Sequence, residues 1–312
     1  MIILNYVDNN FYELTKILKQ MSLNEIYESI KYSYLNLDNN VKDLYENYFE
    51  KFNYWGKLKA KNNEFEEIYE KALFLNNHIK DLEWLYEKLE DYRSKLLLYG
   101  IINNWFNYDF KTLNITKENT YKHYFDLDLV KVDEETVFVD LGAYIGDTVI
   151  DFINSYGEKN YKKIYCYEMT DLSYSLLKKN LGKYDRTVCK KKAVGETKHK
   201  AFFNENSDIS ANKIDIDGEK EVEITSLDLD IEEEITLVKM DIEGSEMNAL
   251  KGMKRHIEKE KPDLLISVYH KNEDLISIPK LINKYYDGYK FYLRSHSGDV
   301  YPTEIVLICI AE

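Results

Sequence analysis

Proline is almost missing from this chain: three residues in 312, all beyond position 260. Glycine is scarce as well, with 12 residues, and only Gly56 and Gly100 fall within the first 130. Helix breakers are therefore thin in that stretch, which reads as several packed helices. Cysteine is limited to Cys166, Cys189 and Cys309. They stand far apart without metal-ligand spacing, so a cysteine-ligated metal centre is excluded and buried free thiols are expected. No window offers 18 apolar residues without charge, which excludes a membrane-spanning helix. Basic charge is in deficit: the net charge is −14 and the pI is near 5.1. A general nucleic-acid binder or a basic membrane-surface protein would need the opposite balance, although a local basic cleft stays open. The opening MIILNYVDNNFYELTK has no basic region, long apolar core or small-residue cleavage site, so a signal peptide is not expected and a cytoplasmic location is.

What is present is a change of texture near residue 130. Before it, Leu82, Leu85, Tyr86, Leu89, Tyr92 and Leu96 recur at three- and four-residue steps, which predicts one amphipathic helix over 80–98. The many tyrosines of this half can line a sugar or nucleotide surface, or bury their rings and keep the hydroxyls wet; the second reading is preferred. After 130, strands are expected at 136–141, 163–168, 187–194, 221–227, 235–241, 263–269, 290–295 and 304–310. Helices are expected at 148–156, 172–180, 245–259 and 275–286. Such alternation predicts an α/β sheet with helices on both faces, preceded by an all-helical region, with domains at 1–130 and 131–312. Ligands of such sheets bind beyond the carboxyl ends of the strands.

The first of those strand ends reads Val137-Phe138-Val139-Asp140-Leu141-Gly142-Ala143-Tyr144-Ile145-Gly146-Asp147-Thr148. An apolar run ends in Asp140, followed by a glycine turn and a helix. Gly142 and Gly146 would let the backbone approach a ligand closely. Asp140 repels a diphosphate and suits an amino group. The segment matches neither the dinucleotide nor the P-loop glycine pattern. Glu168 ends the next strand 28 residues later, where a carboxylate can accept both hydroxyls of a ribose. An amino-acid end at Asp140 and a ribose at Glu168 together describe S-adenosylmethionine. Beyond the fourth core strand, Asp241, Glu243 and Glu246 fall within six residues. They can hold sugar hydroxyls, position a base or bind Mg²⁺, the metal being less favoured; Glu246 is better read as complementing a helix dipole. His270 ends the next strand, and a neutral imidazole there can take the proton of a hydroxyl nucleophile. Arg294 and His296 lie near a later strand end and could grip substrate hydroxyls or phosphate. The remaining histidines, His78, His123, His199 and His256, read as surface.

The segment DLGAYIGDT resembles motif I of class I S-adenosylmethionine-dependent methyltransferases, and the wider pattern resembles the FkbM-type family. The pattern continues through Asn180-Leu181, Lys192-Ala193-Val194-Gly195, Lys239 to Glu246, Ala249 to Gly252, Ser267-Val268-Tyr269-His270 and the pair Arg294, His296. The stretch from Asp81 to Lys95 resembles the lead-in of a subset of the family. Met169 departs from it, standing where the family often has proline. The resemblance implies a Rossmann-like class I methyltransferase sheet. It implies a cofactor site at Asp140, Gly142, Ala143, Tyr144, Gly146, Asp147, Thr148, Glu168, Met169, Ala193, Val194 and Asp241, with S-adenosylhomocysteine as product. His270 and Asp241 would be catalytic, with Glu243, Tyr269, Arg294 and His296 on the substrate and no resident metal. It suggests O-methylation of a sugar hydroxyl, in a nucleotide-activated or surface polysaccharide sugar. Transfer to an amine or carboxylate, and a non-catalytic adaptor, are the alternatives. The helical region could be a dimer interface, a substrate lid or a docking arm.

Overall fold

The computed structural model describes residues 5–52, 55–203, 218, 220–296 and 301–311. The chain forms two compact units. The first comprises Met1–Glu118 with Val268–Pro279 and Phe291–Val306; the second comprises Asn119–Ser267 with Lys280–Lys290 and Leu307–Glu312. The boundary near 118 lies earlier than the change of texture at 130, and the first unit also takes two later segments.

The first unit opens with helices α1 (Tyr6–Gln20), α2 (Leu23–Leu35) and α3 (Asn39–Lys51). Asn5 with Asp8 and Ser22 with Glu25 form reciprocal capping boxes at the first two, satisfying backbone N–H groups that the helices leave open. A short hairpin, β1 (Leu58–Lys59) and β2 (Glu64–Phe65), leads into α4 (Glu66–Lys88), α5 (Tyr92–Asn107) and α6 (Phe110–Ile115). The single helix expected over 80–98 is thus two. Asp91 breaks it: its side chain accepts from the Ser94 N–H as an N-cap, and the Glu90 N–H turns to Phe291 O at 3.0 Å. Tyr34, Tyr45, Tyr86 and Tyr108 bury their rings as preferred, but not all hydroxyls stay wet. Those of Tyr34 and Tyr86 donate to Glu46 and Asp8 at 2.9 and 2.6 Å. A Glu67–Lys71 ion pair, one helical turn apart, is fully buried, and the rings of Tyr108 and Tyr301 lie 5.0 Å from the ammonium.

The second unit supplies β3 (Val137–Leu141), α7 (Asp147–Tyr156), β4 (Lys163–Tyr167), α8 (Asp171–Leu181), β5 (Thr187–Lys190), β6 (Ala193–Val194), β7 (His199–Phe203), β8 (Lys220–Thr225), α9 (Leu227–Asp230), β9 (Leu237–Met240), α10 (Glu246–Lys251), α11 (Lys254–Lys259) and β10 (Asp263–Ser267). The chain ends through α12 (Asp274–Tyr285), β11 (Tyr289–Ser295) and β12 (Ile305–Ala311). A seven-stranded sheet runs β11-β12-β10-β9-β3-β4-β5. The pairs β10–β9, β9–β3, β3–β4 and β4–β5 are parallel. Every residue of β3 and β9 is buried, as central parallel strands covered on both faces require. From β3 the chain winds outward through β4 and β5, and β9 then takes the opposite flank of β3. This places the topological switch point between β3 and β9, where sheets of this kind hold their ligands.

Two expected elements divide. The strand over 187–194 breaks after Lys190, and β6 joins a separate three-stranded sheet, β6-β8-β7. The helix over 245–259 breaks at Gly252, where a Cβ would stand 2.0 Å from Gly195 O, so only glycine admits the approach. No described helix is long and apolar enough to cross a membrane.

Candidate functional site

At the carboxyl ends of these strands the second unit holds a cleft of about 660 Å³, counting its open mouth. Its lining follows the sheet order. Asp241, Ile242, Glu243 and Ser245 follow β9; Gly142 and Tyr144 follow β3; Glu168, Met169 and Thr170 follow β4; Lys192, Ala193 and Val194 follow β5. The layout suits an elongated ligand lying across the strand ends.

The turn after β3 is built by close backbone approach. Gly142 has φ +76°, and a Cβ there would stand 1.9 Å from Asp241 O. Any other residue would drive the β3 and β9 ends apart. Gly146 serves a different purpose from the expected ligand approach. It is the left-handed N-cap of α7, and a Cβ would meet Leu177 and Leu181 of α8 at 3.0 Å. Of the remaining turn residues, Ala143 is buried, while Asp147 and Thr148 begin α7; none of these lines the cleft.

Asp140 departs from the expectation that it meets an amino group. It is fully buried and does not line the cleft. Its register partner across β9 is Lys239, whose ammonium lies 3.1 Å from the Asp140 carboxylate and donates to Gly142 O at 3.0 Å. Burial opposes the lysine's charge, but the carboxylates of Asp140 and Asp241 outweigh it and raise the ammonium above its ordinary value. The pair thus fixes the turn from beneath.

Glu168 stands where a ribose acceptor is expected. One carboxylate oxygen accepts from the Tyr144 N–H at 3.1 Å, the other from the Thr170 N–H and hydroxyl at 2.8 Å each. Two carboxylate oxygens offer about four lone pairs, so acceptor capacity remains toward the cleft. Burial raises the Glu168 carboxyl against these hydrogen bonds.

Tyr167 and Lys192 form a wall that the sequence reading missed, although both adjoin strand ends. The Tyr167 hydroxyl donates to Asp230 at 2.7 Å, with Lys190 and Lys192 at 2.6 and 3.0 Å from the same carboxylate. Burial opposes its ionisation, but these hydrogen bonds carry Asp230 from an ordinary 3.8 to about 2. A depressed carboxyl adds stability that is present above its unfolded value and is lost as pH falls through the folded one. Thermal melts from about pH 6 to about pH 2 should therefore show Asp230→Asn less stable than wild type at the upper end and converging with it at the lower. A constant gap across that range would refute the linkage.

After β9, Glu243 and Gly244 both take positive φ, 56° and 88°. Glu246 folds back to accept from the Ile242 and Gly244 N–H groups at 2.9 and 3.3 Å. It also stands in the first turn of α10, as the helix-dipole reading expects. Asp241 accepts from the Tyr124 hydroxyl at 2.6 Å.

The other expected residues belong to the first unit. His270 is buried, its ring 4.4 Å from that of Tyr269, whose carbonyl accepts from the Trp55 indole at 3.2 Å. Arg294 departs from a substrate-gripping role: its guanidinium is engaged by Asp91 at 2.8 Å, Ser94 Oγ at 3.1 Å and Leu293 O at 2.9 Å. The His296 N–H donates to Glu304 O at 2.9 Å. In the second unit His256, read as surface, is fully buried, with Nδ1 2.5 Å from Glu260; its i, i+4 acid was the available signal.

Residues 140–291 match the family described as the methyltransferase FkbM domain. Over that span the chain is similar to an FkbM methyltransferase domain. The match begins at Asp140 and takes in every cleft-lining residue. Among solved structures, the FkbM methyltransferase of Methylobacillus flagellatus superposes with a TM-score of 0.68 at 23% identity, covering 85% of this chain and 66% of that one. This chain therefore spans just under two thirds of that relative's length. More distant are SMU.1697c of Streptococcus mutans, a putative methyltransferase solved with S-adenosylhomocysteine (11% identity, 57% and 90% coverage, TM-score 0.35). Aeropyrum pernix fibrillarin with S-adenosylmethionine is similarly distant (10% identity, 58% and 69% coverage, TM-score 0.38). No curated protein matches the sequence. The FkbM match and the larger superposition support the Rossmann-like class I methyltransferase fold expected from the motifs.

Proposed function

We propose that this chain transfers a methyl group from S-adenosylmethionine to a hydroxyl oxygen, that of a sugar. The observation that carries the cofactor reading is Glu168. It is a largely buried carboxylate held by Tyr144 and Thr170 between the β3 turn and the β5 end. On this reading the ligand lies along the strand order, with adenine toward Lys192, Ala193 and Val194, ribose at Glu168, and the methionine and methyl end at Gly142 and Asp241. With Asp140 committed to Lys239, Asp241 and backbone groups of the turn are the proposed partners of the methionine end.

Methyl transfer is an in-line displacement at the sulfonium carbon. The chain's task is to align the acceptor oxygen with the methyl and to remove the acceptor's proton. His270 is proposed as the base. The hydroxyl acceptor, rather than an amine or carboxylate, rests on the family resemblance, and so does the sugar. A nucleotide-activated sugar is the proposed form of the acceptor, and no metal is assigned to the reaction.

Calorimetric titration with S-adenosylmethionine tests the cofactor reading. Glu168→Ala removes charge-assisted hydrogen bonds of about 1.5–3 kcal/mol each, so affinity should fall at least about tenfold. Unchanged affinity in a folded variant would sink the ribose assignment. Incubation with S-adenosylmethionine and a panel of nucleotide sugars, read by mass for the gain of one CH₂, tests the acceptor.

A further inference from the structure

Tyr124 lies upstream of the matched region, on the segment that leads into β3. Its backbone has φ +71°, a strained conformation that a bulky aromatic residue rarely adopts. The next residue anchors the turn. The Phe125 N–H donates to Lys122 O at 3.0 Å, and its fully buried ring packs on Phe138, Phe152 and Tyr156 at 6.2, 5.6 and 5.8 Å. The His123 ring stacks on the Tyr124 ring at 3.9 Å, and the Lys239 ammonium lies 5.2 Å from the ring centre. Its hydroxyl reaches Asp241 Oδ2 at 2.6 Å and Ser267 Oγ at 3.2 Å. A strained backbone, a ring held by His123 and Lys239, and a short hydrogen bond thus converge on one cleft carboxylate.

We propose that Tyr124 is a positioning residue: its hydroxyl fixes the plane of the Asp241 carboxylate so that the negative charge faces the sulfonium of bound S-adenosylmethionine. The inference rests on the cofactor reading above, which places the methyl end beside Asp241. A carboxylate aimed at the sulfonium distinguishes the cationic donor from S-adenosylhomocysteine, which lacks that charge. Donor binding is thereby favoured over retention of product. A merely structural tyrosine would affect both ligands alike.

The test is calorimetric titration of the whole protein with each of these two ligands. Tyr124→Phe should lower the preference for S-adenosylmethionine over S-adenosylhomocysteine about three- to tenfold, with affinity for the product nearly unchanged. Asp241→Asn should lower it at least as far, and Tyr124→Phe should add nothing in that background. Tyr124→4-aminophenylalanine, which keeps a donor, should restore the preference. An unchanged preference, or equal losses for both ligands, overturns the proposal. Should Tyr124→Phe fail to fold, Tyr124→3-fluorotyrosine replaces it: a shifted preference at constant product affinity supports the role, and no shift overturns it. A wild-type protein that binds neither ligand overturns the cofactor reading itself, a separate outcome.

Discussion

A Lys239→Met variant is expected to lose about 3–5 kcal/mol of folding stability, because it leaves the Asp140 carboxylate buried without its partner. Asp140 is wholly inaccessible and Lys239 only 2% exposed. They face each other in register on the two central strands, so neither can turn to water without parting the sheet. Domains of this size are stable by about 5–15 kcal/mol, so the loss is a large share of the total. At about 2–4 °C per kcal/mol, the melting temperature should fall by roughly 6–20 °C. The double variant Asp140→Leu/Lys239→Met should recover most of that loss, since removing both charges removes the uncompensated one. Burial already raises the Asp140 carboxyl, against Lys239. Without the lysine it rises further, so the folded state takes up the proton more readily than the unfolded chain. The variant's deficit should therefore shrink as pH is lowered and grow as pH rises through the folded value. A single variant within about 1 kcal/mol of wild type would show that the pair is not the keystone proposed for the turn.

How far the sequence discloses such a site depends on whether a residue's work is local. Gly142 and Glu168 are legible because a strand end, a glycine turn and a terminal acid lie within a few residues of one another. Both line the cleft. Asp140 is equally visible as a strand-end acid, yet its partner is 99 residues away at Lys239. Only the pairing of β3 with β9 shows that the carboxylate is consumed inside the sheet. Arg294 errs for the same reason: its partner Asp91 is 203 residues distant. Tyr124 carries no signal, since one tyrosine among 28 is marked only by the carboxylate to which the fold brings it. Strand and helix positions are legible throughout the α/β part because apolar runs and turn residues are local. The exceptions are β7 and α9, which are not expected, and the breaks at Lys190 and Gly252: the first break is decided by which sheet β6 joins, the second by the approach of Gly195. The break of the 80–98 helix was available in principle, since Asp91 and Ser94 have N-cap spacing.

Replacing His270 by asparagine should cut turnover by about 10²–10⁴ while leaving affinity for S-adenosylmethionine nearly intact. A hydroxyl is a poor nucleophile until its proton leaves, and a neutral imidazole can accept that proton. His270 follows β10, the strand paired in parallel with β9, and strand ends of this sheet are where its ligands are expected. It is only 4% exposed. The measurement is initial rate against pH, with whichever acceptor of the nucleotide-sugar panel is methylated, for wild type and His270→Asn. A base must be unprotonated to act, so the wild-type rate should rise with pH on the acid side and that limb should vanish in the variant. Titration with S-adenosylmethionine separates a lost base from a damaged cofactor site. If His270→Asn keeps wild-type turnover, the base assignment fails and the carboxylates of Asp241 and Glu243 become the next candidates. Those carboxylates can act alone or through a bound divalent cation, and a chelator separates the two: full turnover after chelation leaves the proton to a carboxylate, whereas loss that Mg²⁺ restores assigns a part to the metal.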